Sequence, residues 1–168
     1  MQHLADAIKK AMTDQNWYAA LTLALSMPDI CGRLESPQKK SQARYETWFA
    51  KYVLSSFQFE IGGEMYIFLN ASDCYALRCA YLHQGEFGLE DQRAKKVLEL
   101  INFRAPIAGD FTHMVTDGSV LSLKVDMFCT AICNGVEVWM KDMQEDEAVS
   151  VRLEKLGRIS KPGGNGYL

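Results

Sequence analysis

The segment from Ser72 to Gly85 reads SDCYALRCAYLHQG, and it points to the fold class because it carries a complete set of helix signals. Serine favours the N-cap position of a helix, and glycine commonly ends one in the left-handed conformation. The apolar positions between them are Tyr75, Leu77, Ala80 and Leu82. These signals predict a helix over Asp73–His83.

Four further segments repeat apolar residues at helical spacing and predict the other helices of a bundle. Residues 3–12 form a short amphipathic segment, residues 14–35 a longer helix, and residues 38–56 a third one. A long helix from about Leu123 to Gln144 follows later in the chain. We therefore expect the protein to be mainly helical.

The 14–35 helix is apolar on most of its circumference, so it should be central and packed on several sides. Asp14 is its expected cap, and the helix should end at Gly32–Glu35. Pro28 has no amide hydrogen to donate, so we expect a kink or a restart of the helix there.

The chain around residues 97–122 predicts a small β insertion. Val97–Arg104 reads VLELINFR and is typical of a strand. Val120–Val125 follows Asp117-Gly118, which is the strongest short signal for a hairpin turn. The predicted fold is thus mainly α, a four- or five-helix bundle with a small antiparallel β-hairpin insertion.

Two further features complete the expected organisation. Gly62-Gly63 marks a turn, followed by a short apolar connection or strand over Met65–Leu69. The end of the chain, 161–168, contains Gly163-Gly164 and predicts a flexible tail. Since we find neither an internal repeat nor an interdomain linker, we expect residues 1–168 to form a single domain.

Composition excludes several classes of protein. Hydrophobic residues make up 48% of the 168 residues and charged residues 23%, which excludes a disordered chain, a collagen-like fibre and a small disulfide scaffold. The formal net charge of -3 excludes a general polyanion binder. Any contact with nucleic acid must therefore come from a local patch.

The sequence also predicts a compartment. The first twelve residues lack the apolar core of a signal peptide, and the longest apolar stretch, Tyr18–Met27, is too short to cross a bilayer. The five cysteines are an odd number without framework spacing, so they are most simply reduced thiols. We expect a cytoplasmic protein without membrane contact.

The hexapeptide from Arg78 to His83, RCAYLH, resembles the Arg-x4–6-His motif of the HEPN superfamily, a group of small helical-bundle proteins. Many members are metal-independent ribonucleases of toxin–antitoxin and defence systems. In that family the motif ends the third helix of a four-helix core, a helix order that this sequence can supply. The position after the arginine is commonly asparagine there, and it is Cys79 here.

The resemblance implies a HEPN-like bundle that cleaves RNA as a homodimer without metal or cofactor. Arg78 and His83 would form a composite catalytic site with the same pair of the second copy, leaving a cyclic phosphate end. Cys79, Tyr81 and Gln84 would support the pair or contact the substrate. An antitoxin or another regulatory protein is a further implied partner.

The chemistry of the two side chains suits this role. Histidine titrates near neutral pH and can accept or donate a proton, while arginine stays charged and offers a planar fork to phosphate oxygens. A five-residue step on a helix turns about 500°, or roughly 140° net, so Arg78 and His83 should not share a face. A two-fold axis would bring two such helices together in one cleft.

Each candidate also has a structural interpretation. For Arg78 and His83 it is an ion-paired arginine and a helix-ending histidine. Asp29 either orients Arg78 across the bundle or caps its own restarted turn. Cys129 and Cys133 have a spacing that allows metal binding, but small core thiols are the stronger interpretation.

The stretch from Arg33 to Lys51 contains five basic and two acidic residues, with Tyr45 and Trp48 interleaved and Arg44 near its centre. It either guides the RNA backbone or forms an ordinary solvated helix face, and the core-like spacing of its aromatics favours the second. For the whole chain, the alternative to a nuclease is a non-catalytic interaction or nucleotide-binding module.

Overall fold

Helices account for most of the chain in the computed structural model, which describes residues 1–89, 92, 95–157 and 159. The prediction of a mainly α fold is confirmed. The flexible tail predicted for 161–168 lies outside the described residues. The helices are α1 (Gln2–Thr13), α2 (Trp17–Glu35), α3 (Ser41–Tyr52), α4 (Ala71–Gln84), α5 (Val125–Asp142) and α6 (Glu147–Glu154).

Helix α2 is central, as its apolar circumference predicts, and it packs against α1, α3, α4, α5 and α6. It runs from Trp17 to Glu35 as one helix. The restart expected at Pro28 is therefore wrong. A proline inside a helix costs about 3 kcal/mol, but Pro28 is buried, and the packing of α2 on several neighbours offsets that loss.

Two helix starts differ from the prediction because the cap belongs to a neighbouring residue. The side-chain oxygen of Asn70 accepts the amide of Asp73 at 2.9 Å, so Asn70 rather than Ser72 caps α4. Asn16, not Asp14, caps α2 in the same way. Asn and Asp side chains are nearly equal as caps, so local sequence alone does not separate adjacent candidates.

The helix ends are closer to expectation. Gly85 follows α4 with φ 75°, the left-handed cap that the sequence predicts. The helix expected over 38–56 is shorter, because α3 ends at Tyr52 and a 3-10 turn follows over Leu54–Phe57. After α5, the side chain of Asp146 caps the additional helix α6.

Five short strands form two sheets within the described residues. Strands β1 (Gln58–Ile61) and β2 (Glu64–Ile67) form an antiparallel hairpin. The second sheet has the order β3-β5-β4, built from β3 (Leu100–Arg104), β4 (Val115–Asp117) and β5 (Val120–Lys124).

The prediction for the second sheet is right in one part and wrong in another. Strands β4 and β5 form the antiparallel hairpin expected at Asp117-Gly118. Strand β3, however, pairs with β5 in parallel, so the insertion is not purely antiparallel. The chain turns away after Arg104 and returns as β4, which puts β5 between the two and makes it run with β3.

Two glycines bring α3 close to its neighbours. A Cβ atom on Gly32 of α2 would lie 2.9 Å from the backbone oxygen of Arg44, and one on Gly135 of α5 would lie 2.8 Å from Cγ2 of Val53. Both distances are too short for a side chain. The close approach of α2 and α3 puts Arg44 within reach of Asp29.

Candidate functional site

The side chain of Asp29 lies where α2, α3 and α4 meet. Its Oδ2 atom accepts a hydrogen bond from Nη2 of Arg78 at 2.9 Å. Its Oδ1 atom accepts hydrogen bonds from Nε of Arg44 and from the hydroxyl of Ser41, both at 3.1 Å. Both ion pairs are mostly buried, with each side chain less than one fifth exposed. Of the two interpretations of Asp29, the contact with Arg78 is the one present, and these bonds tie Asp29 to other helices.

Histidine 83 is exposed in the last turn of α4, and its Nε2 atom lies 3.3 Å from Nη1 of Arg78. The expectation that the two side chains would point apart is wrong at their tips. Their Cα atoms do lie on different faces of the helix, but the long arginine side chain spans the gap. One chain thus brings together a carboxylate, a guanidinium and an imidazole in the order Asp29, Arg78, His83.

An open cleft of about 370 Å³ adjoins this cluster. Its polar wall contains Arg33, Arg44 and Arg78 with Asp29, three cations against one carboxylate. The rest of the lining is largely apolar and includes Leu156. An excess of guanidinium groups in a partly enclosed space favours an anionic ligand, since arginine binds phosphate oxygens in a bidentate geometry.

Arg33 is the charged residue of the cleft that no local sequence signal distinguishes from its neighbours. It lies four residues after Asp29 on α2, which puts both side chains on one face of the helix. The signal was the local positive charge of 33–51, but that signal did not separate Arg33 and Arg44 from the exposed lysines Lys39 and Lys40.

The aromatic residues of the same stretch have a structural role. Tyr45 and Trp48 are buried, so they do not offer ring faces to a nucleic acid. The Tyr45 hydroxyl lies 3.4 Å from the Cys74 sulfur, and burial raises the pKa of Tyr45 well above its ordinary value. The interpretation of this helix as a core element with a solvated outer face therefore holds for its aromatics.

The other predicted site residues are distributed around the end of α4. Cys79 is half-buried, with its sulfur 4.0 Å from Nη1 of Arg78. Gln84 is exposed, and its side-chain oxygen accepts a hydrogen bond from the side-chain amide of Gln92 at 3.0 Å. Tyr81 packs on Phe87 rather than on the Arg78–His83 pair, with ring centroids 5.2 Å apart.

The cysteines at metal-like spacing lie in the core. Cys129 and Cys133 are both buried on α5, and burial raises their thiol pKa values to about 12 and about 11. Both thiols are therefore protonated near neutral pH. Across the described parts of the chain, no group of three or more His, Cys, Asp or Glu side chains is arranged to hold a metal ion.

One more observation concerns membranes. Among the described helices, none combines the length and the apolar character needed to cross a bilayer.

Comparisons with protein-family models, with curated proteins and with solved structures gave no match to this chain. The resemblance of the Arg78–His83 segment to the HEPN motif stays a prediction from those residues. The geometry of Asp29, Arg78 and His83 carries the functional argument.

Proposed function

We propose that this protein is a metal-independent RNA endonuclease that acts as a homodimer, with Arg78 and His83 in its active site. The observation that supports this most directly is the 3.3 Å distance between Nη1 of Arg78 and Nε2 of His83 at an exposed helix end. A cation that can bind the phosphate, beside an imidazole that can accept or donate a proton, supplies two of the groups needed to cleave RNA without a metal.

Asp29 acts as a positioning residue in this proposal. It holds one amino group of Arg78 at 2.9 Å, which leaves Nη1 directed towards His83. A fixed guanidinium stabilises developing negative charge without reorganising during the reaction. Arg78 accordingly binds the scissile phosphate and stabilises the charge of the phosphorane transition state.

The reaction is an internal transfer at phosphorus. The 2′-oxygen forms a bond to phosphorus while the bond from phosphorus to the 5′-oxygen breaks. Neutral His83 accepts the proton of the 2′-hydroxyl, and a protonated imidazole donates a proton to the leaving 5′-oxygen. The products are a 2′,3′-cyclic phosphate and a 5′-hydroxyl, and no water is consumed in this step.

The proton balance is the reason for a homodimer. A single imidazole cannot accept one proton and donate another in the same step, so a second acid is required. A two-fold axis beside the end of α4 supplies it as His83 of the second copy. A toxin or defence setting, with an antitoxin or other regulatory protein as partner, is the biological context that the motif implies.

The second candidate is a non-catalytic module that binds a phosphorylated ligand such as a nucleotide. The observation that favours it is the cleft of about 370 Å³ with its three arginines, a volume within the usual range of about 300–1,000 Å³ for small-ligand sites. Binding there needs Arg33, Arg44 and Arg78 but not His83, which separates the two functions experimentally.

The test is cleavage of total RNA by the purified protein in the presence of EDTA. Wild type should cleave and leave cyclic phosphate ends, whereas His83→Ala and Arg78→Ala should each lose about 10²- to 10⁴-fold in rate. Lys141→Ala, which removes an exposed positive charge from α5, is the matched control and should cleave normally. Circular dichroism of each variant checks that folding is intact.

Three results would contradict the proposal of a dimeric nuclease. Intact RNA at high wild-type concentration favours the binding module instead. Equal cleavage by wild type and His83→Ala removes the proposed proton transfer. Sedimentation of the wild-type protein as a clean monomer under cleaving conditions would contradict the composite site.

A further inference from the structure

A second, smaller pocket of about 130 Å³ lies at the end of the bundle where α4 stops. It is formed where the start of α2 meets the end of β3 and the start of α5. Half of its lining residues are aromatic, namely Trp17, Tyr18, Phe87 and Phe103, and Arg104 also lines it.

The inner wall of this pocket is held rigidly. Gly85 reverses the chain after α4, and the amide of Glu86 bonds to the carbonyl of Ala80 at 3.4 Å. This reversal stacks Phe87 on Tyr81 with an interplanar angle of 10°. Because these side chains already pack on one another, the binding free energy of a ligand does not have to offset the entropic cost of ordering them.

Further aromatic contacts anchor the same wall in the core. Phe87 meets Phe103 edge-on with centroids 5.5 Å apart, and Phe103 meets the buried Phe128 at 5.3 Å. The pocket floor is therefore continuous with the core rather than a loose surface feature.

The rim of the pocket has a different character. Tyr18 is 74% exposed, which is unusual for a large aromatic side chain and leaves its ring available for stacking. Arg104 has a half-exposed side chain, and its Nε atom lies 3.5 Å from Oδ2 of Asp110. An aromatic face beside a cation is the combination that binds bases together with their phosphates.

The volume restricts the ligand to a small one. Sites for whole drug-sized ligands have volumes of about 300–1,000 Å³, so a pocket of about 130 Å³ accommodates one flat ring system with the rest of the ligand outside. A nucleobase carried by a strand has this form, since its sugar and phosphate remain at the surface near Arg104.

The position of the pocket connects it to the proposed active site. Tyr81, which supports the pocket wall, and His83 are two residues apart on α4 and therefore about 200° apart around the helix axis. The pocket and the Arg78–His83 pair thus lie on opposite flanks of the same helix end. A strand that crosses the end of α4 would meet both.

From these observations we infer that the aromatic pocket is a subsite for one unpaired base of single-stranded RNA, next to but not at the cleaved bond. This inference rests on the proposed function, because it identifies the substrate as a flexible single strand. A duplex cannot offer such a base, since its bases are stacked and paired within the helix.

The intrinsic fluorescence of Trp17 can report binding at this pocket. Of its three tryptophans, all described, Trp48 and Trp139 are buried, while Trp17 is half-exposed at the pocket. A short 2′-O-methyl RNA lacks the attacking hydroxyl and so binds without being cleaved. Its titration should quench tryptophan fluorescence, and the quenching should disappear in Trp17→Phe.

Tyr18→Ala provides the affinity measurement, because this exposed side chain is removed without opening the core. The loss of one stacked base predicts an affinity for the oligonucleotide that is about 5- to 150-fold weaker. Phe111→Ala is the matched control, because Phe111 is a 92% exposed aromatic outside the pocket lining, and it should bind as wild type.

A strand of the same length with abasic positions separates base binding from phosphate binding. It should bind as weakly to wild type as the normal strand binds to Tyr18→Ala. Equal affinity of wild type for both strands, unchanged binding by Tyr18→Ala, or quenching that persists in Trp17→Phe would each overturn the subsite.

The outcome for the nuclease is measured separately by cleavage of unmodified RNA. Cleavage without quenching of Trp17 fluorescence overturns the base subsite but does not contradict the proposed active site. Quenching without cleavage overturns the nuclease and supports the base subsite as part of an RNA-binding protein.

Discussion

Asp29 and Arg78 are 49 residues apart in the sequence and form an ion pair at 2.9 Å in which each side chain is less than one fifth exposed. Asp29 also pairs with Arg44, so one carboxylate holds two guanidinium groups from two other helices. This shared carboxylate couples the packing of three helices to the position of Arg78.

Replacing Asp29 should therefore affect both stability and activity. Asp29→Asn leaves two guanidinium groups without their charged partner, and we expect a loss of about 1–3 kcal/mol in the free energy of unfolding. Urea denaturation measures this loss. Asp14→Asn, at a half-exposed carboxylate that pairs with Lys10, is the control and should change stability by less than about 0.5 kcal/mol.

The effect of Asp29→Asn on cleavage tests whether Asp29 positions Arg78. If it does, kcat falls while the KM for RNA changes little, because Nη1 of Arg78 is no longer held near His83. A fall in activity that only follows the unfolded fraction, and that disappears at a temperature where the variant is folded, would contradict the positioning role.

Asp73 should be among the most sensitive positions for stability. Its carboxylate is fully buried and accepts the backbone amides of Lys96 at 2.5 Å, Val97 at 3.2 Å and Leu98 at 3.4 Å. It thereby ties the segment before β3 to the first turn of α4. Asp73→Ala leaves these donors unsatisfied, so we expect a loss of about 2–4 kcal/mol in the free energy of unfolding.

Asp73→Asn keeps one acceptor oxygen and should lose less stability than Asp73→Ala. Chemical denaturation of both variants and wild type gives the comparison. Equal midpoints for wild type and Asp73→Ala would contradict a stabilising role of these three hydrogen bonds. Hydrogen exchange at the amides of Lys96 and Val97 should show where protection is lost.

The environment of His113 predicts that the free energy of unfolding decreases on mild acidification. Its Nδ1 atom accepts the amide of Lys124 at 3.1 Å, and burial lowers its pKa, with Lys124 also lowering and Asp126 raising it. A lowered pKa means that the unfolded chain binds the proton more readily. Stability is thus retained above the unfolded pKa of about 6.5 and is lost as pH falls below it towards the folded pKa.

The measurement is the free energy of unfolding between pH 8 and 5 for wild type and His113→Gln. The glutamine side chain does not titrate in this range, so its curve should be flatter than that of wild type. Parallel curves would assign the decline to other groups.

The five thiols should react with alkylating reagents in two classes. Burial raises the pKa values of Cys74 and Cys129 to about 12 and that of Cys133 to about 11, and it also raises the pKa of Cys31. Because the thiolate is the reactive form, these four should be protected in the native protein. Cys79 is half-buried and should be modified first.

Mass spectrometry after iodoacetamide treatment at pH 8 counts the modified sites. One modification per native chain and five in urea are expected. Labelling of Cys129 at the rate of Cys79 in the native state would contradict the packing of α5.

Local signals were sufficient for the features that depend on neighbouring residues. Gly85 ends α4 because a left-handed turn favours a residue without a Cβ atom, and Asp117-Gly118 forms its hairpin for a related reason. The mainly α class followed from apolar periodicity, since each amphipathic segment must bury one face. These features are encoded within a few residues.

Other features depended on competition between similar local choices. Asn70 and Ser72 are both good caps, and in the fold Asn70 caps α4 while Asp73 holds the segment at Lys96. The parallel pairing of β3 with β5 depends on where the intervening chain returns, which periodicity does not encode.

The residue types for the proposed chemistry, Arg78 and His83, are visible in one helical turn and a half of sequence. Their contact is not, because helix geometry sets their Cα atoms on different faces and the long, partly buried arginine side chain closes the gap. The partner of Arg78 lies on another helix, and Arg44 reaches the same carboxylate because Gly32 lets α2 and α3 approach closely. Local sequence therefore accounts for the helices and the reactive groups, while long-range packing accounts for the site, since the arginines and the carboxylate meet only after the core has formed.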